Sequence, residues 1–484
     1  MGKALLLFYK LLSFFAELLI SYRSVYLLKL LNEKNGSNKA SVFFPYDSYD
    51  CMALHRGVER AMKRNKFKIG KIELTECPNP NKYIDINESN ILDFNGFIGF
   101  QYNLKSECEK RGLIDLYFPI LDSIIRNVDF KAFSNNLKLN HKFFIQLEDF
   151  KRIVADQANS IDYCFLADSA YLCNQVIKQE FIKKRKKVFY LNPRGSLYQY
   201  KSINLGEFSL YNKSDDSVNV EKVKIESYVS ARFSGKSKLD LDSSKAFLKK
   251  NNMDDVSIKK IFFLHAFRDA NNNTWSCEQP FLSYFEWADF TFGWITKNKK
   301  WDDWYIKKHP SSAYYESDDD ILRLLLDKHK VPREVVDMTP ETITILKNKY
   351  PVYTNNGTVV LETLIFGYKS FYCGSRYCEL LGKKSLSRED WVDQLSLSIN
   401  DAYKESLIVG DELQELGKIN LYASFAQKNI RDLSPKYAIL PKTKTLLRVN
   451  ILLSQILNTL VRGSLLKTIP SVGDLYICCA NEMD

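Results

Sequence analysis

The stretch IDYCFLADSAYLCNQVIKQEFIKKRKKVFYLNPRG, residues 161–195, decides the fold class. It opens on an apolar run that stops at Asp168, continues with a helical pattern as far as the basic KKRKK turn, and closes on a second apolar run, VFYLNP. Two short apolar runs joined by one helix make a β-α-β crossover, which demands parallel strands and a right-handed return. The basic turn reads as a solvated helix end whose charge complements the helix dipole.

The same alternation extends outward in both directions. Toward the N-terminus, SVFFPYDSYD (41–50) is a short buried strand ending in a Pro/Asp/Ser loop, and HRGVERAMKRNKF (55–67) is a helix. Residues 200–258 are rich in Ser, Lys, Asp and Asn, as a linker or boundary would be. A second series begins at KKIFFLHAFRDANNN (259–273) and runs through LSYFEWADFTFGWITKN, WYIKK, DDDILRLLLDKHK, PVYTNN, GTVVLETLIFG and KSFYCG. The start signal in DMTPETITILKNK predicts a helix with Thr339 as its N-cap and Pro340 in the first turn. The pattern therefore divides the chain into an amphipathic segment 1–34, an α/β domain 35–225, a linker 226–258, an α/β domain 259–440 and an amphipathic segment 441–484. Two such domains in tandem are expected to face a cleft at the C-terminal ends of their strands.

Composition narrows the function classes. At 484 residues, 45% hydrophobic and 26% charged, the chain is neither a disordered, a collagenous nor a disulfide-scaffold protein. Its net charge of +11 is concentrated at the ends: residues 1–34 and 441–467 together carry +8. The nearly neutral remainder argues against a nucleic-acid-binding body. No uncharged run near the N-terminus reaches the roughly 18 residues of a membrane span, and Glu17 interrupts what a secretory signal would require. Both basic, apolar ends suit helices lying in an anionic membrane interface, and they equally suit packing on the protein's own core. A peripheral protein on the cytoplasmic face of the inner membrane is the expectation. The ten cysteines form no CxxC pair or zinc-spaced cluster, and most sit in apolar contexts as reduced core cysteines do, so no metal or cofactor is expected.

Residues able to do chemistry gather at predicted strand ends of the second series. In VYTNNGTVVLETLIFG a strand ends near Tyr353, and a turn of Thr354, Asn355, Asn356 and Gly357 leads into a helix starting near Thr358. Free N–H groups at a helix start receive phosphate, Thr358 adds a hydroxyl, and Glu362 one turn on can accept from ribose hydroxyls. WYIKKHPSS delivers His309 after a strand, with Pro310, Ser311 and Ser312 beyond it; an imidazole there can donate to a phosphate or leaving-group oxygen. His265 follows an earlier strand, in a loop that also offers Arg268, Asp269 and Asn271. Asp269 is either a carboxylate at the reacting sugar or the N-cap of the next helix. In the first domain Asp47, Asp50, Asp168 and Arg194 occupy predicted strand ends, where a carboxylate could take an acceptor hydroxyl proton. Ordinary capping and turn roles account equally well for each of these residues taken singly. No P-loop, GxGxxG or GxSxG motif follows a strand.

Taken together and in order, HAFRDANNN, the FEW-containing helix, YIKKHPSS and YTNNGTVVLETLIFGYKSFYCG resemble the bacterial capsule polysaccharide biosynthesis family, which includes Kdo transferases of GT-B type. The resemblance spans about residues 258–378 well and 40–200 loosely. It implies two Rossmann-like doubly wound domains, an N-terminal one for the acceptor and a C-terminal one for a nucleotide-sugar, plausible donors being CMP-linked. It also implies a metal-independent glycosyltransferase acting on a surface glycan or its lipid-linked precursor. By that likeness His309 and Pro310 match the HP motif at the donor phosphate, Thr354, Asn355, Gly357 and Thr358 match the second phosphate-binding turn, and Glu362 matches the ribose contact. His265, Arg268 and Ser311 would flank the donor, and His309, Asp269 and Asp50 would carry the chemistry. Related HP-motif families carry paired serines where this chain has Asn355 and Asn356, and they include polyol-phosphate transferases using CDP-linked donors. That activity and a non-catalytic assembly role are the alternatives.

Overall fold

The computed structural model describes residues 41–43, 68–69, 77–87, 94–128, 132–133, 135–166, 172–191, 197–200, 222–234, 258–269, 280–310, 312, 315, 317–374, 387–407 and 410–426. The two amphipathic end segments, together with Asp47, Asp50, Asp168, Arg194, Asn271 and Ser311, lie outside the described residues. In chain order the elements begin β1 (Ser41–Phe43), β2 (Lys68–Ile69), β3 (Ile84–Asn87), α1 (Phe94–Lys110), α2 (Tyr117–Asn127) and β4 (Asn136–Leu139). Then come α3 (His141–Ala158), β5 (Tyr163–Leu166), α4 (Leu172–Lys183), β6 (Lys187–Leu191), β7 (Leu197–Tyr200) and α5 (Lys222–Phe233). The second series holds β8 (Lys260–Phe263), α6 (Tyr284–Lys297), β9 (Trp304–Lys307), α7 (Asp318–Lys328), α8 (Glu334–Asp337), α9 (Thr342–Lys347) and β10 (Val352–Thr354). It ends with α10 (Val359–Ile365), β11 (Phe371–Tyr372), α11 (Arg388–Ser396), α12 (Ile399–Ser406) and α13 (Asp411–Ala426).

The fold is mixed α/β with parallel sheets, and the chain forms two compact units. One unit comprises 1–79, 141–203 and 430–484. Its sheet has the order β2-β1-β5-β6-β7, parallel except for the antiparallel edge strand β7. The 161–195 crossover is present as read: β5, α4 and β6, with Tyr163 in register with Lys187. Phe143, Leu147, Phe150, Val154 and Ala158 recur along α3 at helical spacing and are all fully buried. Cys77 and Cys173 form a disulfide in this unit, with Cα atoms 6.0 Å apart, a pairing that the expectation of reduced core cysteines did not include.

The other unit comprises 80–140 and 204–429. Residues 80–140, expected within the N-terminal domain 35–225, thus pack with the C-terminal series. The reason is aromatic: Phe97 and Phe133 place their rings 5.4 Å and 5.1 Å from Phe285. Nearby, Tyr102 Oη donates to Glu286 Oε1 at 2.6 Å, and Arg388 engages both groups. The expected linker 226–258 is also corrected at its start, because α5 is a core helix. Ile225, Tyr228 and Val229 pack there with Val360, Leu361, Leu364, Leu421 and Tyr422. Full burial of such side chains contributes about 1.5–3 kcal/mol each before conformational entropy is counted.

This unit's main sheet runs β11-β10-β8-β9, parallel throughout, and β3 pairs with β4 in a separate antiparallel ladder. Strands β8 and β10 are buried almost entirely, as parallel strands covered on both faces are. Topology now fixes where a ligand can sit. The chain leaves β8 toward β9 on one side, then returns across β8 to form β10 and β11 on the other. Consecutive connections part at the β8/β10 boundary, and a crevice opens at the C-terminal ends of strands that diverge in this way.

Candidate functional site at the strand ends

The residues that follow β8, β9 and β10 meet at that boundary. Two residues past β8, His265 is 8% exposed and stacks on Tyr284 at 4.2 Å between ring centroids. The same imidazole stacks on half-buried His309, two residues past β9, at 5.5 Å. On the β10 side the backbone N–H of Asn356 donates to His265 Nε2 at a long 3.4 Å. An acceptor nitrogen carries no proton, so this contact places the His265 proton on Nδ1. Sequence spacing brought the two histidines to strand ends; the sheet order makes them neighbours.

Burial holds the His309 pKa below the usual imidazole value, while the negative charges of Asp269 and Glu362 pull it back up. Free His309 is therefore neutral at pH 7, and it has one N–H to donate. Its electrostatics change as soon as an anion arrives, because a phosphate oxygen favours the charged imidazolium.

The turn after β10 is anchored by the neighbouring strands. Cys373 N–H donates to Thr354 O at 3.3 Å and Gly374 N–H to Asn355 O at 2.9 Å, continuing the β10–β11 ladder into the turn. A Cβ at Gly374 would fall 1.7 Å from Asn356 Oδ1, so any larger residue here displaces the Asn356 side chain. At Gly357 a Cβ would meet His265 Nε2 and Thr354 Oγ1 at 3.4 Å, an ordinary contact distance. Asn355 and Asn356 are 0% and 4% exposed, and neither amide finds a hydrogen-bond partner among the described residues. Each unmet buried polar group costs about 1–3 kcal/mol. The sequence reading selected Asn355 for the turn but gave no reason to expect both amides to be unpartnered, nor any reason to single out Gly374.

Two expected contacts have other occupations. Thr354 is fully buried and its hydroxyl donates to Phe263 O at 3.3 Å, closing β10 onto β8. Glu362, 3% exposed, is in a buried ion pair with Arg232 of α5, and Thr358 Oγ1 donates to its Oε1 at 3.3 Å. Its carboxylate is not presented to solvent as a ribose acceptor would be; it orients Thr358 instead. The helix that follows, α10, is seven residues long and starts at Val359.

The β8 loop is held from a third direction. Asp318, the first residue of α7, accepts from Arg268 N at 3.2 Å, and also from Phe267 N–H and the Ser312 hydroxyl. Burial raises the Asp318 carboxyl above its ordinary value despite these donors. Asp318 thus caps backbone of a neighbouring loop. Asp269 lies half-buried within charge range of His309, its N–H donating to Ala266 O at 3.2 Å, and Pro310 is exposed beside it in sequence order. The predicted Thr339 N-cap is displaced: α9 starts at Thr342, and the Thr339 hydroxyl donates to Ile306 O at 2.7 Å.

Among the described residues, no group of three His, Cys, Asp or Glu side chains is gathered as metal ligands would be. No described helix is long and apolar enough to cross a membrane. Comparison with protein-family models, curated proteins and solved structures finds no match to this chain.

Proposed function

We propose that the chain is a GT-B-type glycosyltransferase whose β8–β11 unit holds a nucleotide-sugar. The donor would be CMP-linked, carrying Kdo or a related acid sugar for a surface polysaccharide or its lipid-linked precursor. One observation carries this reading. His265, His309 and the Asn355–Thr358 turn converge on the β8/β10 boundary, where diverging connections open a crevice. The resemblance of residues 258–378 to capsule biosynthesis transferases supplies the substrate class.

In this mechanism the donor phosphate lies against the backbone N–H groups of the turn that leads into α10, with Thr358 held beside them by its bond to Glu362. Neutral His309 donates its N–H to a phosphate oxygen, and that bond strengthens as the sugar–phosphate bond breaks and charge builds on oxygen. His265 braces the imidazole by stacking and holds the turn through Asn356. Asp269 is the nearest described carboxylate in the sequence of the β8 loop to receive the acceptor hydroxyl proton. The basic ends would keep the enzyme at the cytoplasmic membrane surface, where lipid-linked acceptors reside.

A thermal-shift panel of CMP, CDP, UDP and GDP on the full chain tests the reading, since a ligand at 100 times its Kd stabilises the native state by about 2.7 kcal/mol. CMP is expected to raise the melting temperature most, and His309→Ala is expected to reduce the rise. No shift with any of the four would overturn it.

A further inference from the structure

We infer that Arg388 and Tyr102 are positioning residues that hold the His265–His309 pair in place through the first turn of α6. Neither was singled out in the sequence, and they lie 102 and 184 positions from the residue they share, Glu286. Three rings form one stack at the strand ends. Tyr284, the first residue of α6, lies 4.2 Å from His265 between ring centroids, with 5° between the planes. His265 lies 5.5 Å from His309, with 16° between theirs. Tyr284 is therefore the outer wall of the pair, and wherever the first turn of α6 goes, this wall goes with it.

That turn is fixed by one buried carboxylate, Glu286. Ser283 caps α6 by accepting from Glu286 N–H at 3.1 Å. Glu286 Oε2 reaches back to accept from Leu282 N–H at 2.7 Å, one residue beyond the usual partner in a capping box. Its Oε1 accepts from the Tyr102 hydroxyl at 2.6 Å and from Arg388 Nη2. A guanidinium has donors only, so Arg388 also donates to the Tyr102 oxygen, and the single phenol proton goes to Glu286. Burial, then the bond to Glu286, pushes the Tyr102 pKa up to about 12, so the hydroxyl keeps the proton it donates. Arg388 Nε donates to Pro280 O at 2.8 Å, and the guanidinium carbon lies 4.9 Å from the Phe281 ring centroid. Arg388 thus binds the approach to α6 and its first turn together, while Tyr102 ties both to α1. The Ser283 cap alone would start the helix; the two further residues, through charge-assisted bonds of set direction, fix where the turn sits.

The inference rests on the proposed function only for its consequence in turnover; the geometry is tested in the ligand-free full chain. His265 is one of five histidines, so its ring resonances in histidine-labelled protein are assigned by their loss in His265→Gln. Tyr284→Leu sets the reference, since a stacked aromatic ring displaces the resonances of the protons it covers and an aliphatic side chain does not. Arg388→Gln is expected to give at least half of the Tyr284→Leu displacement, and Arg388→Lys less than Arg388→Gln. Tyr102→Phe keeps the ring and the ion pair and is expected to give a smaller displacement in the same direction; it serves where Arg388→Gln does not fold, as circular dichroism reports. Lys328→Met is the control. It breaks the 2.7 Å ion pair to Asp289 farther along α6, and is expected to lower the melting temperature with the His265 resonances unmoved.

His265 resonances at their wild-type positions in folded Arg388→Gln, or in Tyr102→Phe where Arg388→Gln does not fold, would overturn the inference. So would an equal displacement in Lys328→Met, which would make the effect a general loosening of α6. In turnover with a CMP-sugar, Arg388→Gln is expected to lower kcat about tenfold with a smaller change in donor KM, as loss of alignment does. Lys328→Met is expected to leave both near wild type. Failure of the nucleotide panel with the His265 pattern intact removes the transferase reading and leaves the positioning. The reverse result removes the positioning alone.

Discussion

The two sheets have the same beginning and different ends. In each, the first strand gains a neighbour on one side, the chain crosses back, and the later strands extend the other side: β2-β1-β5-β6 in one unit and β9-β8-β10-β11 in the other. Topology thus offers a strand-end crevice twice. The sequence after β1 and β5 supplies carboxylates, Asp47, Asp50 and Asp168, whereas the residues two past β8 and β9 are imidazoles and the turn after β10 carries amides and a hydroxyl, with one carboxylate, Asp269, farther along the β8 loop. A carboxylate repels phosphate and a neutral N–H attracts it, so the same crossover can serve an acceptor hydroxyl in one unit and a nucleotide in the other. The units are also held differently. A disulfide closes Cys77 onto Cys173 in the first, while buried ion pairs tie α5 to α10 and α6 to its neighbours in the second.

The sharpest way to break the comparison is His309→Ala, which should lower turnover about 10²–10⁴-fold, the range for a lost proton donor in a transition state. Steady-state kinetics with a CMP-sugar reads this, and circular dichroism should show the fold unchanged. Next is Glu362→Ala, which leaves Arg232 buried without its counter-charge and should cost about 3–5 kcal/mol in denaturant unfolding. Loss of the disulfide through Cys173→Ser should cost about 2–4 kcal/mol in the same measurement, and nucleotide binding should survive it. Gly374→Ala forces a methyl onto Asn356 and should cost about 1–3 kcal/mol, with weakened nucleotide affinity in titration calorimetry.

The smallest effect is a pH dependence in the second unit. Lys260 is fully buried, donates to Leu397 O at 2.9 Å and has its pKa pushed down to about 8 by burial. Between pH 8 and the ordinary lysine value the unfolded chain binds the proton more tightly than the native one, so stability rises with pH in that window. The gain from pH 8 to 9 should be about 1 kcal/mol, measured against Lys260→Met, in which it should vanish.

Much of the fold was legible because the sheets are local in sequence. Alternating apolar runs and helical stretches gave β5, α4 and β6, and likewise β8, α6, β9 and β10, since each strand's burial is written in its own residues. His309 and His265 were found because each follows such a run directly. What the pattern could not reveal was partnership across distance. Phe97 and Phe133 carry no local mark of their partner; only their contact with Phe285 assigns residues 80–140 to the second unit. Glu362 carries no local mark of Arg232, which is 130 positions away. Thr339 had the residue type of an N-cap and Pro340 after it, but lacked a complete capping box, and the Ile306 carbonyl took its hydroxyl.

The central claim is that nucleotide binds at the strand ends of the second unit and depends on His309. Isothermal titration of CMP into wild type, His309→Ala and Cys173→Ser tests it in one experiment. The account predicts binding to wild type and Cys173→Ser and binding weakened about 10- to 100-fold in His309→Ala, as loss of a hydrogen bond to a charged oxygen does. Equal binding by wild type and His309→Ala, or loss of binding in Cys173→Ser with His309→Ala unaffected, would contradict it.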